Sequence, residues 1–219
     1  MNIFRQLTEK PWENEGNSVA SYRDGNSFAA TRGRIGLTMF LAVVSILFFL
    51  LVIAYGSRMV VEDWRPAPRI VLLWQNTFLL ILSSIGMQWG RVAARRGNTN
   101  SALNGLLAGG VFAVAFLIGQ AMAWSQLRAM TYLEPTNPAV AFFYLITGLH
   151  ALHLAGGMIA WVLATYRVWT GGPEIARSRR MVELCTAYWH YLLAVWLILF
   201  GLLFSGNNLD AFLALCGLK

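Results

Sequence analysis

The sequence predicts an all-α polytopic membrane protein: a bundle of five transmembrane helices, N-terminus cytoplasmic and C-terminus periplasmic. Three observations carry this. Of 219 residues, 57% are hydrophobic and only 12% charged, where a soluble domain carries about 25% charge; the mean hydropathy is +0.54. The apolar residues gather into five stretches, each long enough to cross a hydrocarbon layer about 30 Å thick. The basic residues gather in alternate connections between them. The net charge of +7 then follows from membrane topology. No basic stripe on a soluble domain offers itself to nucleic acid.

Residues 1–33 read as a polar cytoplasmic segment, without periodicity and without the short apolar core of a signal peptide. The transmembrane domain is expected over 34–205. Its first helix, 35–57, contains no charge. Pro66 and Pro68 stop helix in the connection that follows. The second helix, 70–89, holds Gln75 and Asn76, which should bond a neighbouring helix. Arg91, Arg95 and Arg96 come next, then a turn at Gly97. The third helix, 103–124, carries Gly105 and Gly109, a spacing that lets a second backbone come close. The fourth, 139–166, is longer than a bilayer requires. The fifth is 183–204, and the tail 206–219 is too short to cross. Trp64, Trp89, Trp124, Trp161 and Trp169 fall where an interfacial aromatic belt would lie. Cys185 and Cys216 fall toward opposite faces, so no bridge between them is expected.

Orientation comes from counting cations. Twelve of the 17 Lys and Arg lie on the side of the N-terminus. The positive-inside bias makes that side cytoplasmic.

Ionisable groups inside apolar helices are the candidates for function, because hydrocarbon makes them costly. Glu183 and His190 are seven residues apart on the fifth helix, nearly on one face. His150 and His153 are three apart on the fourth, beside Gly148, Gly156 and Gly157. These glycines thin the helix and admit a close neighbour or a lipid tail. Three readings of the polar set compete. A metal or haem could take imidazoles from two helices; a relay could pass protons inward; or the groups could satisfy one another and lock helix five to helix four. The last is favoured, since unpaired polar groups are costly in hydrocarbon. At the first turn of its helix Glu183 also suits the helix dipole. No Ser/His/Asp set, phosphate-binding glycine loop, CxxC pair or zincin helix is present.

The run Glu183-x-x-x-x-Tyr188-Trp189-His190-Tyr191-x-x-x-x-Trp196 resembles the last helix of subunit III of haem–copper oxygen reductases. Gly148-Leu149-His150-Ala151-Leu152-His153, with Gly156 and Gly157, resembles the G-x-H-x-x-H segment of the helix before it. The run Arg34 to Ala42 is similar to the opening helix of bacterial five-helix forms. The resemblance spans about residues 34–204. It implies a non-catalytic chain of a respiratory oxidase, in the bacterial inner membrane, with no haem or copper of its own. Those cofactors would sit in the catalytic subunit I and in subunit II, its expected partners; a small subunit IV is also admitted. Phospholipid in a cleft between helix groups, proton-uptake support and complex stability are further implications, with Glu183, His150, His153 and His190 as the interior polar set. Two positions depart from the family pattern: Val43 and Val44 replace an acidic residue after Phe-Leu-Ala, and Leu193 replaces an Asp. Cytochrome c is the expected electron donor. The alternatives are a subunit of a nitric oxide reductase or quinol oxidase, or a stand-alone cytochrome b with His190 and His150 or His153 as haem ligands.

Overall fold

Among the described residues five helices form in chain order: α1 (Gly25–Met59), α2 (Leu72–Arg95), α3 (Thr99–Met130), α4 (Pro138–Trp169) and α5 (Ile175–Ser205). The computed structural model describes residues 25–61, 64, 65, 68, 70–131, 137–170 and 175–205; side chains are described from 33 in α1 and over 178–204 in α5. The tail 206–219 and Cys216 lie outside the described residues. Among the described residues four helical stretches are long and apolar enough to cross a membrane: Gly33–Met59, Thr99–Met130, Pro138–Trp169 and Ser178–Phe204. The helices run past their apolar windows. Residues 25–33, polar and expected to be irregular, are the start of α1. They contain no proline, and backbone hydrogen bonding does not stop where hydrocarbon does.

α2 differs from the other four. Its Asn76, Thr77, Ser83 and Ser84 are buried among neighbouring helices, which lowers its hydropathy without exposing those groups to lipid. A tight turn joins it to α3. Gly97 has φ +78°, its N–H bonds Ala94 O, and Asn98 N–H bonds Ala93 O. This pair of bonds is a Schellman termination, which needs a residue without Cβ at the left-handed position. The Asn98 side chain then caps α3, accepting from Ser101 N at 3.1 Å.

The hairpin closes backbone against backbone. A Cβ built on Gly86 would lie 2.7 Å from Gly109 N, and one on Gly105 would meet the backbone of Gly90. Two G-x-x-x-G pairs, 86/90 and 105/109, thus face each other within one chain. Ser83 Oγ crosses the same contact and donates to Gly109 O at 2.7 Å.

α4 and α5 complete a four-helix core, tied by indole N–H groups. Trp124 donates to Thr147 Oγ1 at 3.0 Å and Trp161 to Leu106 O at 2.8 Å, joining α3 to α4. Trp189 donates to Ser83 Oγ at 2.8 Å and Trp196 to Thr77 Oγ1 at 3.0 Å, joining α5 to α2. Trp124 and Trp161 are therefore interhelical ties, with the Trp161 ring lying on Gly110. α1 stands outside this core. Among its described side chains only Val44, Phe48 and Tyr55 of the large apolar ones are buried, against Ile146, Val195, Leu199 and Leu202.

Gly86→Ala is expected to destabilise the chain by about 1–3 kcal/mol, because a new methyl meets backbone that cannot yield. Gly201→Ala, whose Cβ meets nothing within 4 Å, should be neutral or gain up to about 1 kcal/mol of helix propensity. Thermal unfolding of the two variants in detergent checks the contrast; equal midpoints would refute the backbone contact.

Candidate functional site

Glu183 and His190 share a face of α5, as a separation of about two helical turns requires. That face meets α2. Arg95 Nε donates to Glu183 Oε1 at 2.7 Å, with side chains 55% and 34% exposed. Such a pair near the surface contributes at most about 1 kcal/mol. Two turns further in, the His190 ring bridges two α2 side chains. Nδ1 contacts Ser84 Oγ and Nε2 lies 3.2 Å from Gln88 Oε1. A carboxamide oxygen only accepts, so Nε2 carries the proton and Nδ1 takes the serine hydroxyl proton. Thr186 adds a bond from the same helix, donating to Met87 O at 3.3 Å.

The expected lock of α5 onto α4 through these groups does not form; α2 is the partner. Helical phase explains this. Each residue turns the helix by about 100°, so Tyr188 lies about 200° from His190. Tyr188 faces α4: its ring lies on Gly157 and its hydroxyl donates to His153 O at 2.9 Å. A tyrosine thus makes the contact assigned to histidine.

The two α4 histidines have separate surroundings. His150 is fully buried in an aromatic cage, 5.1 Å from Trp196 and edge-on to Phe48 and Phe116 at 6.4 and 6.2 Å. Neither of its ring nitrogens has a hydrogen-bond partner among the described residues. His153 donates from Nδ1 to Leu149 O at 2.8 Å, one turn back on its own helix, and packs on Phe48 at 5.5 Å. No hydrogen bond or ion pair among the described residues joins any two of Glu183, His190, His150 and His153.

This arrangement does not suit a haem held by His190 and a histidine of α4. Both His190 nitrogens are engaged with α2, while His150 lies inside the aromatic cage. Among the described residues no three His, Cys, Asp or Glu side chains converge as a metal site would require. Cys185 is buried and free.

The candidate packing glycines divide. Gly105 and Gly109 press on α2, and Gly157 presses on Tyr188 and Trp189. Gly148 has only Trp124, at 3.9 Å, and a Cβ on Gly156 would meet nothing within 4 Å. Gly156 instead lines a groove of about 610 Å³ between α1, α4 and α5, with Gly36, Phe40, His153, Cys185 and Tyr188. On the other side of α1 lie two more hollows, about 590 and 520 Å³, along the α1–α5 seam.

Most of α2's contribution is not legible from single residues. Asn76 does bond a neighbouring helix, at 3.3 Å to Gln120, but Gln75 is exposed. Ser83, Ser84 and Thr77 carry no signal beyond being small hydroxyls in an apolar run. Gly86 and Gly90 were the available clue: their spacing repeats that of Gly105 and Gly109.

The chain matches the family model described as "Cytochrome c oxidase subunit III" over residues 7–206. It is 33% identical over 178 residues to cytochrome c oxidase subunit 3 of Synechocystis sp., covering 77% of this chain and 73% of the relative. It is 30% identical over 174 residues to that of Thermostichus vulcanus, covering 78% and 85%. A Mycobacterium tuberculosis chain named "Probable cytochrome c oxidase subunit 3" is 30% identical over 146 residues, covering 65% and 71%. This chain therefore belongs to the cytochrome c oxidase subunit III family and is a membrane subunit of an oxygen-reducing terminal oxidase, in complex with that enzyme's other subunits.

Proposed function

We propose that the chain is a non-catalytic scaffold of its oxidase: it packs beside the catalytic subunit, holds phospholipid, and by doing so sustains proton uptake and resistance to turnover inactivation. Haem and copper belong to subunits I and II in this reading, a small subunit IV is a further neighbour, and cytochrome c is the donor. The chain crosses the bacterial inner membrane five times, with its N-terminus in the cytoplasm. α2 is the fifth crossing: its 24 residues span about 36 Å, and its glycines, serines and Asn76 meet α3 and α5 along that length. The 1–33 segment precedes the 34–205 transmembrane domain, and 206–219 is its tail.

The α1–α4–α5 groove carries the lipid assignment. It is apolar, of a size for acyl chain, and two of its glycines, Gly36 and Gly156, face open space. Their smallness serves no contact within the chain, and glycine inside a helix costs about 0.5–1 kcal/mol against alanine. At the groove's end the Arg167 guanidinium reaches Met181 Sδ, a cation at headgroup level. Glu183 and His190 act as anchors to α2, and His150 and His153 as packing groups. With Val43 and Val44 where the family carries an acidic residue and Leu193 where it carries an Asp, proton support is indirect, through lipid and assembly.

Purification through a tag on the catalytic subunit tests the assignment: this chain should co-purify with the haem-bearing polypeptide, and a colourless chain without it would end the proposal. His190→Leu removes the hydrogen bonds to Ser84 and Gln88 and should lower subunit stability by about 1–2 kcal/mol. Subunit retention should fall while initial turnover holds. His150→Leu, which removes no hydrogen bond, should leave retention unchanged. Immediate loss of turnover in His190→Leu at full subunit content would contradict the anchoring role. Gly156→Leu should fill the groove without disturbing the fold; mass spectrometry of the intact complex should then show one fewer tightly bound phospholipid, and inactivation during turnover should begin sooner. Unchanged lipid content would remove the groove as the lipid site.

A further inference from the structure

Three polar side chains at the centre of the bundle are left with incomplete hydrogen bonding. Asn76 of α2 and Gln120 of α3 are each 1% exposed, and His150 of α4 is not exposed at all. Asn76 Nδ2 donates to Gln120 Oε1 at 3.3 Å, which engages half of each carboxamide. Asn76 Oδ1, Gln120 Nε2 and both ring nitrogens of His150 have no partner among the described residues. Buried polar groups without partners are costly, the more so at membrane depth, where no bulk water reaches them.

These groups lie in one layer. α3 and α4 run antiparallel, with Trp161 bonded to Leu106 at one end and Trp124 to Thr147 at the other. From the second bond, four residues back along α3 reach Gln120 and three forward along α4 reach His150. Both steps run the same way, by about 6 and 4.5 Å. Further contacts close a circuit of neighbours. Phe116, one turn beyond Gln120, lies 6.2 Å from His150. Trp196 lies 5.1 Å from His150 and donates to Thr77, the residue after Asn76. Phe116 stands edge-on to both rings, at 4.9 Å from Trp196 and 6.2 Å from His150. The looser side of its ring is the side with the orphaned nitrogens. A Cβ on Gly119 would strike Asn76 Oδ1, so a glycine at that position seats the carboxamide against α3.

We propose that this layer is a binding site for a buried water molecule that joins α2, α3 and α4. The mixture of donors and acceptors selects the ligand. A carboxamide NH2 donates, a carboxamide oxygen accepts, and a neutral imidazole does one of each. A bare cation would satisfy the acceptors alone and an anion the donors alone. A molecule that both gives and takes hydrogen bonds serves all three side chains, and a closed layer admits only a small one. Buried water makes about three such bonds to groups otherwise unsatisfied. Here it accepts from Gln120 Nε2, donates to Asn76 Oδ1 and takes its third bond with the nearer ring nitrogen of His150. The imidazole fills its aromatic cage and forms one wall of the site. His150→Leu breaks no bond between side chains; it takes one partner from the water.

X-ray radiolysis of the purified holoenzyme tests this, because a pulse turns water into hydroxyl radical where the water sits. Trp196 and Trp189 are both buried, and both donate an indole N–H to an α2 hydroxyl. Trp196 borders the layer; Trp189, seven residues away on α5, is the control. Trp196 should be oxidised at least tenfold faster than Trp189 in the unaltered protein, and equal rates would overturn the proposal. His150→Leu, with subunit retention unchanged, should lower the Trp196 rate at least threefold; an unchanged rate would overturn the site as drawn. Electron cryomicroscopy of the unaltered complex, at a resolution that shows ordered water, should place density within hydrogen-bond reach of Gln120 Nε2, Asn76 Oδ1 and the His150 ring. Two carboxamides closed on each other, with no density between them and the imidazole, would overturn it as well.

Discussion

The structure depends on one constraint: the hydroxyls that α2 buries must find their partners inside the protein, because hydrocarbon supplies none. Ser83 meets it twice over, donating to Gly109 O and accepting from Trp189. Thr77 donates to Leu73 O and accepts from Trp196. Ser84 and Gln88 take the two nitrogens of His190. Each interhelical bond of this kind contributes on the order of 1 kcal/mol, but their directions are stringent. They set the rotation of α5 and the depth of α3 against α2 at once. The close approach at Gly86, Gly90, Gly105 and Gly109 is what brings the serine hydroxyl within reach.

The same constraint explains why α1 is peripheral. It offers few polar groups that need partners. Thr38 and Ser57 donate to carbonyls of α1 itself; Ser45 donates to Leu41 O at 2.8 Å and also meets Tyr191 Oη of α5 at 2.8 Å. Without a ladder of such bonds α1 is held by Val44, Phe48, Tyr55 and aromatic contacts, and grooves remain on both of its sides. A four-helix unit with an outlying helix offers surface on both sides of α1, which suits the scaffold role proposed for the chain. His150 fits the same picture: caged by Phe48, Phe116 and Trp196, it fills volume between three helices.

Much of this was legible in the sequence, and the illegible part has a common cause. Apolar run length locates α1, α3, α4 and α5, since spanning hydrocarbon needs about 20 apolar residues. The family was readable from the spacing of Glu183, Tyr188, Trp189, His190 and Trp196 with the glycine–histidine run of α4. Helix ends were misjudged, because helices continue into water where hydropathy gives no signal. Trp124 and Trp161 look like belt residues by position, yet their N–H groups point to Thr147 and to Leu106 O. Position along the chain fixes depth but not the direction a side chain faces.

That distinction separates what each level decides. The sequence by itself determined a helical membrane chain, its titratable residues and, through their spacing, that Glu183 and His190 share one face. Which helix that face meets was decided only by tertiary packing. Helical periodicity relates residues within one helix and says nothing about the rotation of one helix against another. That rotation is set by glycine contacts and indole hydrogen bonds between segments distant in sequence, and it turned the face toward α2, leaving Tyr188 to meet α4.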